Sequence, residues 1–89
     1  MDFKWDPKKE AENIRKHGVS FLEAASAFYD ALSLTVPDPD HSIGEQRFML
    51  LGQSNAGRLL SVSHADRGAR IRIISARRAS RSEVIAYEL

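Results

Sequence analysis

An α+β domain is what this sequence predicts, on three observations. Phe21, Ala24, Ala25 and Phe28 recur at the spacing of a core-facing helix. Three segments with strand character, joined by tight turns, follow between Arg47 and Arg77. Two capping boxes, Ser20 with Glu23 and Ser80 with Glu83, each open a helix.

Taken in order, Phe3 and Trp5 alternate with Asp2 and Lys4 and read as a short opening strand with both aromatics on one side. Asp6-Pro7 supplies a cap followed by proline at the first helical position, and the helix runs to His17, where Gly18 offers the left-handed stop. The second helix spans residues 20–30. Leu32 to Val36 alternates with period two, and Pro37 withholds a backbone donor where that strand should end. A polar loop fills 37–44.

Phe48–Leu51 is a continuous apolar run, Ser54–Gly57 carries turn chemistry, and Leu59–Ser63 resumes the strand pattern, so a hairpin is expected. Asp66-Arg67-Gly68 makes the next turn, Ala69–Ala76 forms the last strand, and a final helix runs through Val84, Ile85 and Tyr87. Consecutive strands joined by tight turns are antiparallel neighbours. The two early helices then cover one face of an antiparallel sheet and leave the other open.

With 89 residues there is room for one domain, residues 1–89, and 43% hydrophobic with 28% charged residues is the composition of a chain that folds. Cysteine is absent, which excludes a disulfide framework and a thiolate zinc site and suits a reducing cytoplasm. No stretch reads as a signal peptide or a membrane span, so no membrane partner is expected.

The net charge of +1 hides an asymmetry. Residues 1–44 hold 5 Lys/Arg against 8 Asp/Glu, a charge of −3, and residues 45–89 hold 8 against 4, a charge of +4. All eight basic residues of the second part are arginine, and six of them fall between Arg67 and Ser82 without one acid. The planar guanidinium presents a fork of donors suited to phosphate oxygens, so the open sheet face reads as a surface for nucleic acid.

Trp5-Asp6-Pro7, Lys16-His17-Gly18-Val19-Ser20-Phe21, Glu45-x-Arg47-Phe48, Gly57-Arg58-Leu59-Leu60 and Arg72-Ile-Ile-Ser-Ala-Arg77 occur together in this order. With these motifs the chain resembles the BrnT toxins over nearly its whole length. The resemblance implies a RelE-like fold, ribonuclease activity that arrests translation and growth, and a BrnA antitoxin that binds the toxin, with DNA contacted only through the toxin–antitoxin complex.

Cleaving RNA without a metal requires a base for the ribose 2′-hydroxyl, stabilisation of the phosphorane's charge, and an acid for the leaving 5′-oxygen. The three histidines at 17, 41 and 64 are scattered in sequence with no metal-binding motif around them, so a mechanism with neither metal nor cofactor is the simpler expectation. His64, at a strand end three residues before Arg67, is the leading candidate for proton transfer. Arg67 and Arg77, each at a strand end, are expected to stabilise charge, with Arg47, Arg70, Arg72 and Arg78 binding RNA. Strict alternation puts Arg70 and Arg72 on one face and Arg77 on the other, unless a bulge near Ile73-Ile74 resets the phase.

His17 has an ordinary explanation in the dipole and free carbonyls of its helix end, and Lys16 in solvation; the resemblance keeps both as catalytic candidates. Glu45 is also a candidate, with an ion pair that orients Arg47 as its expected role. His41 reads as plain loop, and Phe3, Trp5, Phe21, Phe28 and Phe48 read as packing. The competing reading is a non-catalytic module of the same fold that binds RNA or a protein partner.

Overall fold

Local signals set the first helix. In a computed structural model describing Met1–Leu89, the Asp6 carboxylate accepts the Lys8 amide at 2.9 Å, Pro7 takes the first helical position, and Gly18 closes the helix at φ 68° with its N–H on the Ile14 carbonyl. The result is α1, Pro7–His17, preceded by the strand β1, Asp2–Lys4. Ser20 caps α2, Phe21–Ser26, by accepting the Glu23 amide at 3.0 Å.

This second helix is shorter than expected, because it tightens into a 3-10 turn at Ala27–Tyr29. Asp30 then turns the chain, its carboxylate accepting the amides of Leu32 at 3.0 Å and Gln53 at 2.8 Å. The turn presses on the sheet at Gly52, where an added Cβ would stand 2.5 Å from the Ala27 carbonyl oxygen. Only glycine fits that approach.

Four strands follow: β2 (Leu34–Pro37), β3 (Arg47–Gln53), β4 (Leu59–Arg67) and β5 (Arg70–Arg78), with a second 3-10 turn at Pro39–His41 and the final helix α3 at Arg81–Glu88. They form one five-stranded sheet in the order β1-β5-β4-β3-β2, and β3, β4 and β5 are the expected antiparallel meander. The sheet is mixed rather than wholly antiparallel, since β1 lies parallel to β5. Parallel neighbours need a long connection, and here everything from α1 to β4 lies between the two strands.

α1 also departs from the expectation of two helices on one face. β1 pairs with β5 only over Arg70–Arg72, and beyond it the free edge of β5 is fastened to α1 through Asn13. The Asn13 amide donates to the carbonyls of Ala76 and Val19 at 2.8 Å each, and its oxygen accepts the Ala76 N–H at 3.0 Å. A side chain thus serves the edge as a strand would. The apolar core is made by α2 and its flank against the sheet: Val19, Phe21, Ala24 and Ala25 meet Leu60, Val62, Ile73 and Ala76. Phe3, Trp5 and Phe28 pack against that cluster, Trp5 edge-on to Phe21 at 6.2 Å.

α3 opens with the expected capping box and has no buried residue. It is held at its two ends, by Glu83 on Arg77 and by the Tyr87 hydroxyl, which donates to Asp30 at 2.5 Å. No helix is long and apolar enough to cross a membrane.

Candidate active site and nucleic-acid interface

The register of β4 and β5 decides which arginines meet. Ser63 faces Ser75, but the next residue, His64, faces Ile73, so Ile74 is an extra residue in β5. This bulge, at the position where the sequence allowed one, resets the alternation: Arg70, Arg72, Ser75 and Arg77 share the face away from α2. On that face three rows cross the sheet, Arg47–Ala65–Arg72, Met49–Ser63–Ser75 and Leu51–Ser61–Arg77.

A groove of about 510 Å³ lies over this face. Its floor includes Ser61, Ser63 and Ser75, with Arg47 and Arg77 in its lining and His17 and His41 at its margins. The Ser61 hydroxyl and the Arg47 Nε are buried and have no hydrogen-bond partner in the protein. Buried polar atoms are normally paired, so two orphans in one groove mark a place for a polar ligand.

His41, with its side chain 68% exposed, is held by Asp38. Its Nδ1 sits 3.1 and 3.0 Å from the two carboxylate oxygens of Asp38. That contact holds the Nδ1 proton and leaves Nε2 as the available base. The turn carrying the pair is tied to the start of β3: the Asp38 amide donates to the Arg47 carbonyl at 2.9 Å, and the Ser42 hydroxyl accepts the Arg47 amide at 2.9 Å and donates to the Asp38 carbonyl at 2.6 Å. His17, the last residue of α1, enters from the other side beside Ile74 and Ser75.

Arg77 makes a bidentate pair with Glu83, at 2.8 Å and 3.0 Å, and this guanidinium holds the Glu83 carboxyl down to about 2. The fork is therefore fixed in orientation while its side chain stays 42% exposed on the groove.

The remaining candidates lie elsewhere. His64 is 4% exposed and faces the opposite side of the sheet, edge-on to Phe28 at 4.8 Å and stacked on Phe48 at 5.7 Å. Neither ring nitrogen has a hydrogen-bond partner, and burial pushes its pKa below the usual value. Alternation along β4 puts it there with Leu60 and Val62, away from the groove. Arg78 also points to that side, where its charge helps hold the Glu23 carboxyl low, after the larger effect of the Arg58 hydrogen bonds. Lys16 pairs with Glu12 at 2.9 Å in a smaller hollow beside the groove.

Glu45 does not orient Arg47. It binds Arg67, with Nη2 at 2.8 Å and Nε at 3.1 Å, and Arg72. β3 begins only at Arg47, opposite Ala65, so two residues earlier Glu45 stands at the level of Arg67. The sequence reading missed His41 with Asp38, whose spacing in a polar loop carries no signal of its own. It also passed over Ser61 and Ser63, although their alternation with Leu60 and Val62 marked them as one face.

Comparison with known proteins gives this arrangement a class, that of a ribonuclease toxin of a type II toxin–antitoxin system. The family described as "Ribonuclease toxin, BrnT, of type II toxin-antitoxin system" matches residues 5–83, and the chain belongs to that family. Among solved structures, the Brucella abortus ribonuclease toxin BrnT superposes with a TM-score of 0.71 at 26% identity, covering 91% of this chain and 99% of that one. A comparison with curated proteins gives no match.

Proposed function

We propose that the protein is an endoribonuclease that cuts RNA in the groove without a metal ion. His41 Nε2 takes the proton of a ribose 2′-hydroxyl, the 2′-oxygen bonds to the adjacent phosphorus, and the bond from phosphorus to the 5′-oxygen breaks. The leaving oxygen takes its proton from His17, giving a 2′,3′-cyclic phosphate and a 5′-hydroxyl. Arg47 and Arg77 bind the non-bridging oxygens, whose negative charge grows in the phosphorane. Arg70 and Arg72 extend the RNA-binding face.

The observation that carries this reading is the Asp38–His41 pair beside an arginine-lined groove whose floor holds the unpartnered Ser61 hydroxyl. In the same proposal the fold is RelE-like, the protein acts in the cytoplasm to arrest translation and growth, and a BrnA-type antitoxin neutralises it by covering the groove, with DNA met only through that complex.

Incubating the protein with labelled RNA in excess EDTA tests the reading. Cleavage that persists in chelator and disappears in His41→Ala is expected. A protein that holds the RNA but never cuts it would be the non-catalytic module instead.

A further inference from the structure

Beyond the groove, the same face continues toward the turn between β4 and β5. The row Arg47–Ala65–Arg72 crosses the sheet at the edge of the groove, and Arg67 and Arg70 face each other one row further on. Arg77 in the groove has Glu83 to itself, whereas here one carboxylate is shared by two arginines. Glu45 lies between two of them, hydrogen-bonded to Arg67 through Nη2 and Nε and to Arg72. The Glu45 side chain is 26% exposed, against 52% for Arg67 and 20% for Arg72, so the carboxylate can be reached and replaced by another anion.

Part of the Arg72 guanidinium remains unsatisfied even so, since its Nε is buried without a hydrogen-bond partner. A carboxylate has two oxygens and here serves two arginines; a backbone phosphodiester brings the same single charge on two non-bridging oxygens, set tetrahedrally and so able to meet two guanidinium forks.

We infer that Arg67 and Arg72 form a second phosphate subsite for the RNA strand, and that Glu45 is its built-in competitor, occupying both arginines until the strand displaces it. The inference rests on the ribonuclease reading and deepens it by defining the substrate as a strand long enough to reach both places. From the row of Ser61 and Arg77 to Arg67 is six residues along β4. At 3.3–3.4 Å per residue this is about 20 Å. A stacked strand carries one phosphate per roughly 3.4 Å, so about six nucleotides span from Arg77 to Arg67 and fewer from Arg47, which shares a row with Arg72; a dinucleotide, with its single phosphate, cannot occupy the groove and the subsite together.

Surface ion pairs are weak and easily exchanged, which makes Glu45 suited to hold the arginines in place without blocking them. Its removal should therefore strengthen binding rather than weaken it. That sign separates a competitor from the catalytic role the sequence alone offered for this residue.

The test is binding of a fluorescent 2′-O-methyl oligonucleotide, which lacks the attacking hydroxyl, measured over a range of salt with the full-length protein. For a strand of about twelve nucleotides, Glu45→Gln should bind severalfold tighter than wild type, with a salt slope steeper by about 0.7 to 1.4, the contribution of one to two added phosphate contacts. A 2′-O-methyl dinucleotide should gain nothing, and adding Arg67→Gln and Arg72→Gln to Glu45→Gln should cancel the gain on the long strand. Equal or weaker binding of the long strand by Glu45→Gln overturns the inference and leaves the ribonuclease reading standing, as does an equal gain on the dinucleotide. A wild-type protein that fails to hold the long strand even at low salt removes both.

Discussion

The two faces of this sheet come from alternate residues of the same strands and have opposite fates. On one, Leu60, Val62, Ile73 and Ala76 meet Phe21, Ala24 and Ala25, and the polar group caught there, His64, is starved of partners. On the other, Ser61, Ser63, Ser75, Arg47 and Arg77 line a groove, and the buried Ser61 hydroxyl and Arg47 Nε beneath it have no partner in the protein. An unpaired histidine in the core is a cost of packing, and an unpaired hydroxyl under a cationic groove is an offer of binding. The difference lies in what each neighbour can supply.

The first way to break this contrast is to compare the histidines of the two faces. His41→Ala should lower RNA cleavage by about 10²- to 10⁴-fold, the usual weight of a positioned acid–base group, while leaving the urea midpoint unchanged. His64→Leu should leave the cleavage rate alone. A reversed result would move the chemistry to the α2 side of the sheet.

A second, smaller effect concerns how the sheet edge is closed. Asn13→Ala strips partners from the Ala76 N–H and carbonyl and from the Val19 carbonyl. Leaving buried backbone groups unsatisfied should cost about 2–4 kcal/mol, read as a lowered urea midpoint. An unchanged midpoint would mean that water closes that edge as well as the side chain does.

The smallest effect is a pH dependence. Burial lowers the pKa of His64 in the folded state below its ordinary 6.5, so the unfolded chain takes up the proton first. The wild type should be fully stable above that value and lose stability as pH falls below it. Glu83, held near 2 from an ordinary 4.5, adds its own loss only at lower pH, so the range between about 6.5 and 5 isolates the histidine. In that range His64→Leu should lose less stability than wild type.

What could be read in the sequence follows the range of the interactions responsible. Asp6-Pro7, Gly18, the Ser20 cap and the Ser80–Glu83 capping box act within four residues, and the helices start where those residues predict, although α2 stops early in a 3-10 turn and its Glu23 carboxylate turns to Arg58 and Ser54. The β3–β4–β5 meander needs only tight turns, and it too was legible. The parallel placement of β1 and the attachment of α1 to the edge of β5 depend on contacts such as Asn13 to Ala76, 63 residues apart, which no local pattern announces. Whether Arg77 joins Arg72 turned on one extra residue at Ile74, which alternation posed as a condition and only the β4 pairing resolves. His41 looked like loop because Asp38 and Ser42 fix it through hydrogen bonds to β3. Glu45 meets Arg67 and Arg72 rather than Arg47 because it stands ahead of β3 at the level of Arg67, a cross-strand placement that sequence spacing does not show.

The most direct test of the account is the chemical nature of the ends that the protein leaves on RNA. Attack by a 2′-hydroxyl deprotonated at His41 predicts fragments ending in a 2′,3′-cyclic phosphate and beginning with a 5′-hydroxyl, formed in EDTA, with no cut at any position whose 2′-hydroxyl is methylated. Fragments carrying 3′-hydroxyl and 5′-phosphate ends, or cleavage 3′ to a methylated ribose, would contradict it, because water and not the ribose would then be the nucleophile.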